Sequence, residues 1–294
     1  MSDFIGAQQS PMLSIVVPFL NEERWLSLCL ECLRKQTLDR AQFEVIFVDN
    51  GSTDRSLEIL RAEENVVVVH EERRDPYIAR NRGVEEARGS YIVFLDADCL
   101  AAPDWLSQLV IAINTTQAKV ILGGIAYPDD ASIWLRCYRD YYDQKLEYLL
   151  EKKLTAKYFG HAGNMAIERA MLLQLGPFLA MPIVGDTEVL HRMTAQAPEA
   201  EICFWPKAVV VHAEVTSFRI CLQKVFESGQ YSRSLSTAST SLPLSIEDRV
   251  QVYFNSIKAF RYGAWTRIAM LGTLGIGWLA FTAGWFWRQQ RANS

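Results

Sequence analysis

The sequence predicts an α/β architecture on a mostly parallel sheet, and three observations carry that prediction. From Leu13 onward, short β-rich runs alternate with helical patterns of roughly a dozen residues. Crossovers of that length join parallel strands. Half of the 294 residues are apolar and 22% are charged, which supplies a real core and excludes a disordered chain, a coiled coil and a collagen-like repeat.

The first four strands are expected at Leu13 to Phe19, Phe43 to Val48, Asn65 to His70 and Tyr91 to Leu95. The helix before the fourth is clearly punctuated: Asp75 suits the N-cap, Pro76 the first helical position and Gly89 the glycine just past the end. Beyond Pro103 the pattern is mixed. Lys119 to Tyr127 reads as a strand and Ile133 to Leu150 as a long, Tyr-rich amphipathic helix. Ala162 to Ile167 and Ala208 to His212 read as late strands that break the parallel order, with a helix starting near Asp186. Residues 217–235 and 244–262 read as basic amphipathic helices.

Ile268 to Trp287 is a run of twenty residues without a charge, bracketed by Arg267 and Arg288. That length crosses about 30 Å of hydrocarbon, although Gly272, Gly275 and Gly277 leave a buried core helix or a re-entrant hairpin open. Trp278, Trp285, Phe286 and Trp287 suit a membrane interface. Ala269, Thr273, Gly277, Ala280 and Gly284 form one small-residue stripe through which another helix can approach closely, including one from a second copy. The organisation expected is therefore an α/β domain over 12–215, basic C-terminal helices over 216–267 and a transmembrane or membrane-embedded helix over 268–287.

Charge is distributed unevenly around the net −4: residues up to Val215 carry −10 and those after it +6. An acidic body with a basic end argues against nucleic-acid binding and for a tail beside something anionic. Six cysteines in a chain of this length do not make a disulfide scaffold. Cys29 and Cys32 form a C-x-x-C, but inside the apolar helical period Leu26, Cys29, Leu30, Leu33 and with no second pair to complete a metal site. No basic-then-apolar signal precedes Met12, so the body is expected in the cytoplasm.

Three polar signals fall at the carboxyl ends of expected strands: Pro18-Phe19-Leu20-Asn21-Glu22, Asp49-Asn50-Gly51-Ser52-Thr53-Asp54 and Asp96-Ala97-Asp98. Ligands of open α/β sheets bind in the crevice outside those ends. Two residues apart in an extended segment, Asp96 and Asp98 can face one cation, and all-oxygen ligation favours Mg²⁺ or Mn²⁺. The alternative is a turn in which one aspartate caps the following helix. Asp49 can accept a hydrogen bond from a nucleobase ring N–H, while Ser52 or Asp54 suits a helix cap. Arg80 is placed either to meet phosphate or ribose or simply as an exposed helix arginine.

The run V-V-P-F-L-N-E, V-D-N-G-S-T-D, A-R-N-R-G and F-L-D-A-D, in that order and spacing, resembles the family 2 glycosyltransferases of the GT-A fold. The resemblance covers Met12 to about His212, roughly two thirds of the chain. It implies that the first loop (Pro18, Asn21, Glu22), Asp49, Arg80, Asn81 and Asp96 hold a nucleoside-diphosphate sugar, with a UDP-sugar preferred to a GDP-sugar. It also implies that Asp98, with Asp96, binds the metal. His212 falls where some of these enzymes place a third ligand, or is merely structural. The family's E-D pair reads Gly185-Asp186 here, which leaves Asp186 as the base and Glu188 as a substitute. Gly163 and Asn164 lie in the loop near donor sugar and acceptor.

Processive members carry Q-x-x-R-W, whereas this chain has Gln230-Tyr231-Ser232-Arg233-Ser234, so single-sugar transfer is expected. The implied reaction is inverting and metal-dependent, with a lipid-linked or polysaccharide acceptor at a bacterial-type inner membrane. The rivals are a nucleotidyltransferase, which would open with a Gly-rich basic loop, and an inactive membrane-tethered nucleotide-binding scaffold. No G-x-G-x-x-G follows an early strand, which disfavours a dehydrogenase.

Overall fold

The strand β1 (Leu13–Phe19) is buried along its whole length, as expected of an apolar run with helices over both sheet faces. The computed structural model describes residues 11–232 and 244–292. The elements that follow are α1 (Leu26–Arg34), β2 (Phe43–Asp49), α2 (Ser56–Arg61), β3 (Val67–His70), α3 (Pro76–Glu86), β4 (Tyr91–Phe94), β5 (Cys99–Ala101), α4 (Trp105–Thr116), β6 (Val120–Ala126) and α5 (Ile133–Glu151). Then come β7 (Met165–Glu168), α6 (Arg169–Leu175), α7 (Gly185–Gln196), β8 (Ile202–His212), α8 (Phe218–Ser232), α9 (Ile246–Ala259) and α10 (Ala264–Ala292). Of the Gln230 to Ser234 run, Arg233 and Ser234 lie outside the described residues, as does the extreme N-terminus.

Among the described residues eight strands form one mixed sheet in the order β3-β2-β1-β4-β7-β6-β8-β5. The block β3-β2-β1-β4 is parallel, and β7 enters antiparallel to both β4 and β6, which is the expected break in the pattern. Alternation along β1 builds two apolar layers. Leu13, Ile15 and Val17 face α1 and α4, while Val16 joins Ile46, Val48 and residues of α3 and α7 on the other face.

Four details depart from the sequence reading. Asp75 does cap α3, accepting from the N–H groups of Tyr77 and Ile78 at 2.8 and 3.1 Å, but the helix ends at Glu86 and Gly89 plays no part in closing it. Gly89 instead lets the chain press against β1: a Cβ there would lie 2.6 Å from Ser14 N, and Gly89 N donates to Ser14 Oγ at 2.7 Å. The strand expected at Ala208 starts six residues earlier, at Ile202, and crosses a register shift at Gly123/Gly124, against which Pro206 sits. A proline without an N–H belongs at such a bulge, and its presence made the run look shorter. β5 and α6, at three and seven residues, are too short to show a period.

The C-terminal helices join the body through α5. Cys137 and Tyr141 cluster with Val252, Ala269 and Met270, while Leu135 clusters with Val215, Cys221 and Val225. The small-residue stripe of α10 is consumed within the chain, which corrects its expected use in self-association. Ala269 and Thr273 are buried, Gly277 meets the Tyr138 ring, and a Cβ at Gly284 would run into the Phe226 carbonyl of α8. Ala264 to Trp287 is long and apolar enough to cross a membrane, with 28% of its apolar window buried. Trp265, Ile268, Leu271, Leu279 and Phe286 face outward.

Because a Cβ at Gly89 would meet the backbone of Leu13 and Ser14, which cannot yield cheaply, Gly89→Ala is expected to destabilise the fold by about 1–3 kcal/mol. Urea unfolding of the variant beside the wild type measures it.

Candidate active site

The loops after β1, β2 and β4, together with later elements that include α5, α7 and α8, enclose a cavity of about 750 Å³ outside the carboxyl ends of those strands. Of the residues singled out from the sequence, Pro18, Glu22, Arg80, Asp96, Asp98, Asp186 and His212 line it.

Asp96 and Asp98 do not occupy an extended segment. They lie in the turn between β4 and β5, closed by Cys99 N donating to the Asp96 carbonyl at 3.0 Å, so the two carboxylates take different partners. Asp96 pairs with the buried guanidinium of Arg80, whose own charge lies over the Tyr77 ring. Burial opposes ionisation of Asp96, but the Arg80 guanidinium beside it outweighs burial and holds the carboxyl below its ordinary range. Arg80 is therefore an interior residue, not the exposed helix arginine.

Asp98 faces His212, brought alongside by the antiparallel register Cys99↔His212 between β5 and β8. His212 Nδ1 is 3.2 Å from Asp98 Oδ2 yet is buried without a hydrogen-bond partner among the described residues. Burial, and then Asp96, push the Asp98 carboxyl up to about 7, while burial and Lys224 push His212 down to about 4. A neutral imidazole with an orphaned nitrogen beside an under-neutralised carboxylate fits a divalent cation, with mixed N and O ligation. Cys99 Sγ lies within 4.8 Å of both donors, but burial holds its thiol protonated, which unsuits it as a ligand. The donor set brought together is thus Asp98 and His212, with Asp96, expected as a co-ligand, committed to Arg80.

Asp186 sits in the first turn of α7, its Oδ2 accepting from Ala162 N at 2.8 Å and its Oδ1 from Thr187 N at 2.7 Å. Val184, just before it, has φ +65°, an unusual state for a β-branched residue that sets the angle at which α7 enters the cavity. Gly185, where the family motif has an acid, lies against Tyr77: a Cβ there would come within 2.8 Å of that ring. Tyr77 thus fills the space the missing side chain would need. Glu188 points away, paired with Arg192.

Other expected donor or acceptor residues serve one step removed. Asp49 is not in the cavity wall, because the register Asp49↔His70 sets His70 Nδ1 2.9 Å from Oδ2 while Ser52 N donates to Oδ1. Asn50 lines the wall in its place. Asn21, at φ +58°, accepts from Thr53 N and ties the first two loops together. Asn81 brackets Phe178 with two hydrogen bonds of 2.9 Å and so anchors the segment leading to α7. Asn164 lies fully buried beneath the floor, accepting from Trp105 Nε1 and donating to the Gly124 and Ala208 carbonyls. Gly163 keeps its place because a Cβ would stand 2.9 Å from Asp96 Oδ2.

The sequence reading missed Glu214 and Lys224, and placed His161 in the sugar loop without a role of its own. His161 packs edge-on to His212 at 6.1 Å, and Lys224 of α8 binds Glu214 at 2.9 Å while facing Asp96 and Asp98. The basic pattern of α8 was visible, but not the direction in which it points.

A family model described as glycosyl transferase family 2 matches residues 14–176, more than half of the chain. The chain belongs to glycosyl transferase family 2. This family 2 member is 30% identical to the glycosyltransferase AglE of Haloferax volcanii over 175 residues, 57% of this chain and 56% of that one. It is 33% identical to the glycosyltransferase GlyG of Streptococcus pneumoniae over 127 residues, 42% of each. The chain spans about half the length of the curated relatives it matches. Among solved structures it resembles the mannosyltransferase PcManGT of Pyrobaculum calidifontis in complex with GDP-Man and Mn²⁺, at TM-score 0.62 and 19% identity over 90% of this chain and 74% of that one. It also resembles S. aureus TarS 1-349 in complex with UDP-GlcNAc, at TM-score 0.58 and 18% identity over 92% and 81%. These likenesses show the fold, a GT-A-type mixed sheet.

Glu22 adds a pH signature. Burial, then Asp98, Glu214 and Asp96, raise its carboxyl from the ordinary 4.5 to about 7. A raised acid binds more protons in the native state, so the stability it contributes is complete below 4.5 and is lost as pH rises through about 7. In metal-free buffer Tm should therefore fall across that window, and Glu22→Gln should flatten the fall; thermal unfolding from acid to neutral pH checks it.

Proposed function

We propose that this family 2 member transfers one sugar from a nucleoside-diphosphate sugar to a hydroxyl of a lipid-linked or saccharide acceptor, with inversion. The observation that carries the reading is the meeting of Asp98, His212, the Arg80–Asp96 pair and Asp186 in one cavity at the carboxyl ends of parallel strands. The nucleotide-sugar complexes of its structural neighbours support that donor class. A UDP-sugar is the preferred donor.

Asp98 and His212 would hold Mg²⁺ or Mn²⁺, which when bound supplies positive charge against the departing diphosphate. Arg80 keeps Asp96 ionised and oriented toward the donor ribose. Pro18, Glu22 and Asn50 form the wall nearest the ends of β1 and β2, where the nucleoside fits. Asp186 takes the acceptor proton: the acceptor oxygen bonds to the anomeric carbon as the bond from that carbon to the diphosphate breaks. The N–H groups of Ala162 and Thr187 fix its carboxylate in the cavity wall. A single attack of this kind inverts the anomeric centre.

Residues 12–215 form the proposed catalytic unit, with 216–267 as basic helices and 268–287 as the membrane segment. The outward apolar face of α10, with Lys258, Arg261 and Arg267 exposed around its start, suits an anionic bilayer surface such as the cytoplasmic face of a bacterial inner membrane.

Asp98→Asn is expected to abolish turnover and to weaken Mn²⁺-dependent UDP binding; calorimetry and donor turnover retaining both would refute the ligand assignment. Asp186→Asn should keep UDP binding while kcat falls by about 10² to 10⁴. A kcat close to wild type in steady-state assays would move the base elsewhere.

A further inference from the structure

The cavity does not end at the carboxylates. It continues between α5, the segment before Gly160, α8 and α10, where its walls turn aromatic: Tyr127, Tyr138, Tyr142, Phe159 and, from the apolar helix, Phe281. Tyr138, Tyr142 and Lys145 recur at four- and three-residue spacing, so one face of α5 presents them together. The Tyr138 and Tyr142 rings stand 4.5 Å apart, and Tyr142 meets Phe159 edge-on at 5.3 Å.

Within these rings lies a cation. Lys145 Nζ is 5.0 Å from the Tyr142 centroid and 4.5 Å from that of Phe159, and among the described residues it pairs with no carboxylate. Burial, and then Arg249, lower its ammonium to about 8. A half-buried ammonium balanced by π faces alone retains an unmet demand for negative charge. Arg139 of α5 and Lys224 of α8, which also line the cavity, are already paired with Asp140 and Glu214.

We propose that this aromatic arm is the acceptor site, and that it takes a phosphate-bearing amphiphile whose phosphate meets Lys145 and whose apolar chain runs along the rings to Phe281. The proposal rests on the transferase reading for its connection to Asp186. Its chemistry stands separately: one anionic group where the unpaired cation lies, apolar surface beyond it, and a terminus on the helix whose outer face is itself apolar. A free saccharide would match the rings but leave the cation unmet.

The test uses the full chain in detergent, with farnesyl phosphate, farnesol and inorganic phosphate as probes, and with UDP plus Mn²⁺ as a control for the donor end. Farnesyl phosphate should bind, with farnesol and inorganic phosphate each much weaker, because the arm needs both parts. Lys145→Met, which keeps the stem and removes the charge, should weaken farnesyl phosphate by about tenfold or more while UDP affinity stays at the wild-type value. Lys145→Arg should recover most of the loss. Equal affinity of wild type and Lys145→Met for farnesyl phosphate overturns the proposal, as does a loss of UDP affinity in that variant, which would assign Lys145 to the donor diphosphate. Farnesyl phosphate bound through Lys145 by a chain that binds no UDP would support the arm and overturn the transferase reading instead.

Discussion

The cavity depends on how two neighbouring aspartates divide the positive charge within reach of them. Arg80, buried on α3, is spent on Asp96, and the pair leaves Asp98 without a strong cation of its own. Removing one partner of such a pair strands a charge at a cost of about 3–5 kcal/mol, so the geometry of α3 and of the β4–β5 turn are bound together. The consequence is a division of labour. One carboxylate is neutralised by the protein, and the other stands beside a histidine nitrogen that is buried without a hydrogen-bond partner among the described residues.

Close approach is the second constraint, and it explains why small residues surround the aspartates. Gly163 gives room to Asp96, and Gly160 gives room to Asp186, whose Cβ would be met at 2.9 Å by a side chain there. Gly185 belongs to the same pattern. Where the family motif offers a second acid, this chain places the Tyr77 ring, itself packed on Phe178 and covered by Arg80. The lost carboxylate is thus the counterpart of an aromatic wall gained, and the remaining Asp186 is oriented by backbone N–H groups in place of a charged neighbour.

The C-terminal helices are part of this site. Lys224 and Phe281 reach the cavity from α8 and α10, whose backbones touch closely at Gly229 and Gly284. The apolar helix therefore both carries an outward hydrophobic face and closes the inner end of the aromatic arm. Whatever α10 docks against is mechanically connected to the aromatic arm through direct packing.

Much of this was legible in the chain itself. Strand positions, the Asp75 cap, the break in parallel order, the length of the apolar helix and the family resemblance all follow from local pattern, because periodicity and turn chemistry act over a few residues. Asp98, His212, Arg80 and Asp186 were also visible as candidates, since polar residues at strand ends are rarely idle. Their partners were not visible. Sequence spacing could not say that Asp49 would be met by His70, that Asn164 would sit under the floor, that the α10 stripe would be used internally, or that Lys145 would lie among rings. Those outcomes depend on strand register, on a turn replacing an extended segment, and on helices joined over more than a hundred residues of chain. Local chemistry determines which elements form; only the packed structure decides which side chains share a dielectric, and it is that sharing which turns carboxylates, histidines and a lysine into a site.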